Sequence, residues 1–166
     1  IYRIPGTSSS GSAAAVATGM TTLALGTQTA GSTIRPSSYC GICCLKPSFG
    51  VVPRTGILKT LDTLDHITMM ARCVDDLKLF FEVSRVKGKN HPFIHKTLDK
   101  YSGISKKNIK LAFVKTDTWS FAKDYAQVAL NELAHKLDQI GSVNVDQFET
   151  LPFLHNLHND HKIIYE

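Results

Sequence analysis

Small apolar and hydroxyl residues fill the first part of the chain, and their order predicts a loop, a helix and a strand. The Gly, Thr and Ser run at residues 6–12 is typical of a loop. Residues 13–20 are small and compatible with a helix that begins at Ser10 or Ser12. Residues 23–27 predict a short buried strand. The small side chains of this helix and strand suit burial on all sides.

Apolar positions at three- and four-residue spacing predict the next long element. They indicate an amphipathic helix over residues 73–84, with acidic residues in its first turn that suit the helix dipole. Before it, residues 36–39 predict a short helix opened by proline, and residues 41–47 an extended segment. The Met69 and Met70 pair is expected in the core.

The second half of the chain alternates strand-like and helix-like patterns. Residues 85–108 are basic, polar and aperiodic, which indicates a surface connection. Residues 109–114 predict a strand, residues 124–137 an amphipathic helix, residues 143–145 a further strand and residues 153–164 a helix. This order favours an α/β fold.

Length and composition allow one globular domain or part of one. The chain has 166 residues, of which 43% are hydrophobic and 20% charged, so it has enough apolar material for a core. No run of 18 apolar residues exists, and no membrane span is expected.

The net charge of +5 lies entirely in the first third of the chain. The first acidic residue is Asp62, and five cations precede it: Arg3, Arg35, Lys46, Arg54 and Lys59. They are too scattered for a nucleic-acid-binding stripe, which needs clustered cations. Since no carboxylate lies within the first 61 residues, catalysis based there needs a base other than a local Asp or Glu.

The four cysteines do not predict a metal site. Cys40 and Cys43 have zinc-like spacing, but no second Cys or His pair follows at a regular distance. Because Ile42 and Leu45 beside them are apolar, these two are expected to be buried thiols. Reduced thiols at all four positions, with Cys44 and Cys73, suit a cytoplasmic protein.

The two Ser-rich and Gly-rich segments belong to one longer motif. Residues 5–17 read PGTSSSGSAAAVA and residues 25–36 read LGTQTAGSTIRP; four shorter pieces follow, namely YCG at 39–41, LKPSFG at 45–50, LDHI at 64–67 and MAR at 70–72. Their order and spacing closely resemble the amidase signature family over residues 5–73. The frame at residues 6–11 also fits a phosphate-binding loop, but Ser12 stands where that loop requires lysine.

The resemblance implies a Ser–Ser–Lys triad. Ser32 aligns with the nucleophile, and Ser8 with the bridging serine, whose peptide bond is cis in the family. Ser32 follows Ser8 by 24 positions, which is the family spacing. The backbone N–H groups of Thr29, Ala30, Gly31 and Ser32 match the oxyanion hole. The family lysine lies upstream of the first serine loop, before residue 1.

The resemblance also implies a fold and a domain organisation. We expect an α/β fold with a mixed β-sheet core flanked by helices, present here as part of a single domain truncated at both ends. Residues 1–84 would form the core with the catalytic serines, residues 85–108 the surface connection, and residues 109–166 a strand–helix–strand–helix portion.

The implied activity is hydrolysis of a carbon–nitrogen bond in a small amide through a Ser32 acyl-enzyme. No metal or organic cofactor is implied. The expected partner is the small-molecule substrate, with no nucleic acid bound directly and no membrane, and the intact protein could be a homodimer. Two alternatives stay open: a catalytically inactive amidase-like fragment or interaction module, and an A-type subunit of a glutamyl-tRNA amidotransferase.

Some residues depart from the family pattern. Gln28 replaces a common Asp, Cys44 a common Gly, and Thr68 and Met69 a common Gly-Pro pair. Gln28 and the placing of Arg35 look more like the small-substrate amidases. Arg35 is a candidate to pair with a substrate carboxylate; alternatively, it is a structural residue that binds loop carbonyls.

Overall fold

The structure is a computed structural model that describes residues 3–88 and 108–149. The chain divides into two compact units, Ile1–Lys100 and Tyr101–Glu166. The helix predicted at residues 153–164 and most of the connection predicted at 85–108 lie outside the described residues.

The first unit contains three helices and three strands. They are α1 Ser10–Ala17, β1 Leu23–Gln28, α2 Ile34–Cys40, β2 Cys43–Leu45, β3 His66–Ala71 and α3 Val74–Ser84. The helices and the first two strands were predicted within one to three residues of these bounds. Gly41 ends α2 in a left-handed conformation, with φ of 67°, which glycine adopts without a steric penalty.

β3 is the central strand of this unit, and the sequence analysis predicted no strand there. The sheet order is β1-β3-β2, with both pairings antiparallel. Residues 67–71 are all buried, so both faces of the strand are covered. A strand buried on both faces lacks polar–apolar alternation, which is why its pattern gave no signal. The prediction that Met69 and Met70 lie in the core is confirmed.

Alternate residues of β3 build two apolar clusters. Ile67, Met69 and Ala71 pack with Leu77 of α3, whereas Met70 packs with residues of α1. Since successive side chains of a strand point to opposite faces, α3 and α1 cover opposite sides of the sheet. The two serine loops lie next to α1 and β1, on the side of the sheet that α1 covers.

The helix and strand beside the serine loops are covered only in part. α1 buries Ala13 and Val16, while Gly11 and Ala17 are exposed. On β1, the edge strand, Leu25 is 51% exposed. Within the described residues, the burial on all sides that the composition suggests is therefore absent.

The second unit has the predicted strand–helix–strand order. β4 Ile109–Val114 and β5 Val143–Phe148 pair in parallel, in a register that places Ile109 opposite Val143. Between them lie a short 3₁₀ helix, Trp119–Phe121, and α4, Asp124–Asp138. α4 packs on β5 and buries Ala134. Across residues 3–88 and 108–149, no helix is both long and apolar enough to cross a membrane.

Candidate active site

Backbone and side-chain hydrogen bonds join the two serine loops. The Ser9 N–H donates to the Ser32 carbonyl at 3.2 Å. The Ser9 hydroxyl donates to the Thr27 carbonyl at 3.4 Å, and the Ser12 hydroxyl to the Leu25 carbonyl at 3.0 Å. The start of α1 is thereby fixed to β1 and to the loop after it. Because Ser8 directly precedes Ser9, its backbone lies beside that of Ser32.

The Ser8 backbone differs from the expectation taken from the family. No peptide bond in the described part of the chain is cis, so the predicted cis peptide at Ser8 is wrong for this structure. Ser8 instead has φ of 60°, in the left-handed region that non-glycine residues adopt rarely. The hydroxyls of Ser8 and Ser32 form no hydrogen bond with each other.

The loop after β1 presents four consecutive backbone donors. The N–H groups of Thr29, Ala30, Gly31 and Ser32 donate to no acceptor among residues 3–88 and 108–149. Groups of this kind can stabilise an oxyanion when their geometry converges on one point. The four residues singled out from the sequence are therefore available for this role.

Gln28 binds the residues that directly follow this loop. Its side chain is buried, and its Oε1 accepts the N–H groups of Thr33 and Ile34, both at 2.9 Å. These are donors at the start of α2, which have no partner within the helix itself. In the sequence, Gln28 is only a departure from the family pattern; the structure shows that it caps α2.

A buried hydroxyl network lies behind the serine loops. The Thr68 hydroxyl donates to Thr33 Oγ1 at 2.7 Å, and Thr33 Oγ1 lies 3.1 Å from the Thr27 carbonyl oxygen. Both threonines are fully buried. Gly26 borders this network: a Cβ atom there would lie 2.8 Å from Ser9 Oγ and 2.9 Å from Thr33 Oγ1. The polar Thr68 on the buried central strand thus has a structural role that the sequence did not reveal.

Asp65 connects the loop of residues 29–32 to a second loop. One carboxylate oxygen accepts the Thr29 hydroxyl at 2.5 Å, and the other accepts the N–H groups of Thr60 and Leu61 at 2.6 and 2.9 Å. Burial alone would raise the pKa of Asp65, but the hydrogen bonds from Thr29, Leu61 and Thr60, together with the Arg54 charge, hold it below its usual value. In the sequence, Asp65 stands out only as part of the LDHI segment at residues 64–67.

Arg35 lies near the loop of residues 29–32. Its Nη2 donates to the Thr7 hydroxyl at 3.2 Å, and its guanidinium carbon lies 4.0 Å from the position that a Cβ atom on Gly31 would occupy. Arg35 is exposed. Within the described residues its side chain bonds the Thr7 hydroxyl and neither a carboxylate nor a loop carbonyl.

With this geometry in place, comparison with known proteins gives the family. A family model described as Amidase matches residues 1–165. The chain belongs to the Amidase family. The A subunit of the glutamyl-tRNA(Gln) amidotransferase from Sulfolobus acidocaldarius is 37% identical over 157 residues, which cover 90% of this chain and 32% of that relative. This amidase chain thus spans about one third of the relative's length.

Solved amidase structures share the fold. The A subunit of the glutamyl-tRNA(Gln) amidotransferase from Thermotoga maritima matches with a TM-score of 0.77 and 29% identity, over 98% of this chain and 36% of that one. An amidase family protein from Bacillus anthracis str. Ames matches with a TM-score of 0.70 and 28% identity, over 89% and 30%. The predicted family and its α/β fold are confirmed.

The cysteines of this amidase chain are free thiols. Cys40 and Cys43, which were expected to be buried, are partly buried, as is Cys44, whereas Cys73 is exposed. Burial raises the pKa of the Cys44 thiol above its ordinary value. No group of three His, Cys, Asp or Glu residues that could hold a metal ion occurs in the described ranges.

Proposed function

We propose that the parent protein cleaves the carbon–nitrogen bond of a small amide, with Ser32 as the nucleophile. The observation that carries this proposal is the loop of Thr29, Ala30, Gly31 and Ser32, whose four N–H groups lack acceptors among the described residues. A hydroxyl beside several unpaired N–H groups can attack a carbonyl while those groups hold the resulting oxyanion. Membership of the Amidase family supports the same reaction.

In the proposed reaction, protons move along a Lys–Ser–Ser path. By the family resemblance, a neutral lysine from a part of the protein outside residues 1–166 accepts the Ser8 proton. Ser8 accepts the Ser32 proton, and Ser32 Oγ bonds to the amide carbon. The carbon–nitrogen bond of the tetrahedral intermediate breaks, and the nitrogen leaves as ammonia or an amine with a proton returned through Ser8. Water then releases the acid from the Ser32 ester.

This chemistry needs neither a metal nor an organic cofactor, and no local carboxylate as base. It fits the serine loops, since the first 61 residues contain no acidic side chain. The Ser9 N–H bond to the Ser32 carbonyl supports the close approach of Ser8 and Ser32 that the relay requires. A cytoplasmic location and a homodimer of the intact protein stay predictions.

The test is active-site labelling of the full-length protein. A fluorophosphonate probe should label Ser32, and Ser32→Ala should abolish labelling and turnover. Ser8→Ala should lower kcat about 100-fold or more, which is the scale of lost general acid–base catalysis. Ser38→Ala is the matched control, because Ser38 is an exposed serine of α2 and should leave both readouts unchanged. Amide turnover that survives in Ser32→Ala would overturn the proposal; no labelling or turnover by the wild type would favour the inactive module.

A second function is favoured by a separate observation. The identity with the amidotransferase relative from Sulfolobus acidocaldarius extends over 90% of the chain, and the match to the Thermotoga maritima structure covers 98% of it. On this basis the same Ser32 chemistry would release nitrogen for transfer to glutamyl-tRNA, within a complex of further subunits. Measuring amide hydrolysis and amidotransfer by the full-length protein, alone and with candidate partner subunits, separates the two functions. Transfer of nitrogen that depends on the partner subunits and also on Ser32 supports the amidotransferase role. Amide hydrolysis by the protein alone supports the free amidase.

A further inference from the structure

We propose that Asp65 is a positioning residue. Its carboxylate holds the oxyanion loop, residues 29–32, in its active geometry through the Thr29 hydroxyl. This inference rests on the proposed function, because it assigns Asp65 to the loop that would stabilise the oxyanion. Asp65 lies on neither serine loop: it precedes β3 and is 36 positions from Thr29 in sequence.

The environment of Asp65 is built around an ionised acceptor. The residue is only 6% exposed, and three donors converge on its two oxygens: the Thr29 hydroxyl, and the Thr60 and Leu61 N–H groups. A buried carboxylate is costly unless it is hydrogen-bonded in this way. Since these bonds hold its pKa below the usual value, the group stays an acceptor at neutral pH.

The Arg54 side chain binds the backbone of the segment that contains Asp65. Its Nη1 donates to the carbonyl oxygens of Asp62 and Asp65, at 2.7 and 3.2 Å, and its Nη2 lies 3.3 Å from the Asp62 carboxylate. Asp65 is thus held on both its backbone and its side chain before it binds Thr29. A group held this firmly can fix the first residue of the oxyanion loop, and small displacements of oxyanion donors lower the rate strongly.

The charge of Asp65 argues for positioning rather than for direct stabilisation. A negative charge beside an oxyanion would repel it, so the useful property is the acceptor geometry. Three donors occupy the Asp65 oxygens, and Thr29 is the member of this set that belongs to the oxyanion loop. Asp65, the first buried carboxylate after the serine loops, therefore acts on them as a hydrogen-bond acceptor, not as an acid or a base.

The experiment compares four variants of the full-length protein. Asp65→Asn and Thr29→Val should each lower kcat and the fluorophosphonate labelling rate about 10–100-fold, with KM changed less than about three-fold, because substrate binding is retained while the oxyanion donors are displaced. Thr29→Ser keeps the hydroxyl and should stay near the wild type. Asp75→Asn is the matched control, since the Asp75 carboxylate lies on α3, is 88% exposed and pairs with Lys78 of the same helix.

The double variant distinguishes positioning from a general loss of structure. If Asp65 acts through Thr29, Asp65→Asn combined with Thr29→Val should lose no more kcat than either single change. Losses that multiply, a wild-type rate in Asp65→Asn, or an equal loss in Asp75→Asn would each overturn the inference. If Asp65→Asn does not fold, Thr29→Val against Thr29→Ser still decides it. Failure of wild-type labelling at Ser32 would instead overturn the proposed function.

Discussion

At the scale of single residues, backbone amides and buried polar side chains define the candidate site more than its hydroxyls do. Ser8 and Ser32 make no hydrogen bond with each other, whereas Gln28 accepts hydrogen bonds from two donors and Asp65 from three. Neither of these acceptors was predicted to have a role, since a sequence motif does not show which donor a side chain meets. Ser32 and Arg35 were named as candidates because a family resemblance points to reactive residues.

Arg35 is the residue whose role a substitution can decide. If its guanidinium pairs with a substrate carboxylate, Arg35→Ala in the full-length protein should raise KM about ten-fold or more for amides that carry a carboxylate, and little for neutral amides. A hydrogen bond to a charged group contributes about 1.5–3 kcal/mol, which sets this scale. Steady-state kinetics on matched neutral and anionic amides is the measurement.

Arg72→Ala serves as the control for Arg35→Ala, because Arg72 is another exposed arginine of the same unit. Its KM values should stay at the wild-type level. Equal losses of kcat/KM on neutral and anionic amides in Arg35→Ala would show that Arg35 is structural, with the Thr7 hydroxyl bond as its main interaction.

At the scale of elements, the close approach of α1, β1 and α2 holds the serine loops. α1 packs on both β1 and α2, and Gly26 of β1 faces the hydroxyls of Ser9 and Thr33. The lack of a side chain at Gly26 lets these two hydroxyls lie against the strand. The Ser9 N–H can then reach the Ser32 carbonyl, so the packing of three elements determines the distance between the two serine segments.

Gly26→Ala should therefore weaken both stability and reactivity. The new methyl group would lie less than 3.0 Å from two hydroxyl oxygens and 3.1 Å from Met70 Cε, so the side chains of Ser9 and Thr33 must move. Overpacking of this kind costs about 1–3 kcal/mol. We expect that loss in the free energy of unfolding of the full-length protein by urea denaturation, and slower fluorophosphonate labelling of Ser32.

Gly11→Ala provides the comparison for Gly26→Ala within the same region. Gly11 lies in α1, is exposed, and has no atom within 4 Å of an added Cβ. Alanine there should leave labelling unchanged and stabilise the helix by about 0.5–1 kcal/mol. Unchanged stability in Gly26→Ala would show that the contacts around Gly26 are looser than the structure indicates.

At the scale of the whole molecule, this chain presents large apolar side chains to solvent. In the described ranges, several such side chains of α3 and α4 are more than half exposed: Val74, Leu79, Val83, Tyr125, Val128 and Leu133. The chain spans about one third of the length of its relative from Sulfolobus acidocaldarius. Exposed apolar surface of this extent is typical of interfaces with other protein segments.

Residues 1–166 expressed alone should therefore associate and lack activity. We expect multiple species by size-exclusion chromatography, binding of a hydrophobic dye, and amide hydrolysis no faster than in a Ser32→Ala control. The rate expectation follows because an unassisted serine hydroxyl is a weak nucleophile, and no lysine amine bonds Ser8 or Ser32 in the described residues. A monodisperse monomer that unfolds cooperatively and shows Ser32-dependent turnover would contradict both expectations.

The sequence by itself determined the family, the α/β class and the elements with periodic patterns. α3 and α4 follow from apolar spacing, α1 from its small residues, and the serine loops from a motif whose chemistry depends on residue types. Local patterns suffice for such features because helix faces and loop residues are encoded by near neighbours.

Only the tertiary structure decided the central place of β3 and the positions of Thr68 and Asp65. Each depends on residues distant in sequence: β3 is a strand because β1 and β2 pair with it, and Thr68 is satisfied by Thr33. Asp65 meets Thr29 across 36 positions. Because hydrogen-bond partners of buried groups are set by how elements pack, a local pattern does not contain them.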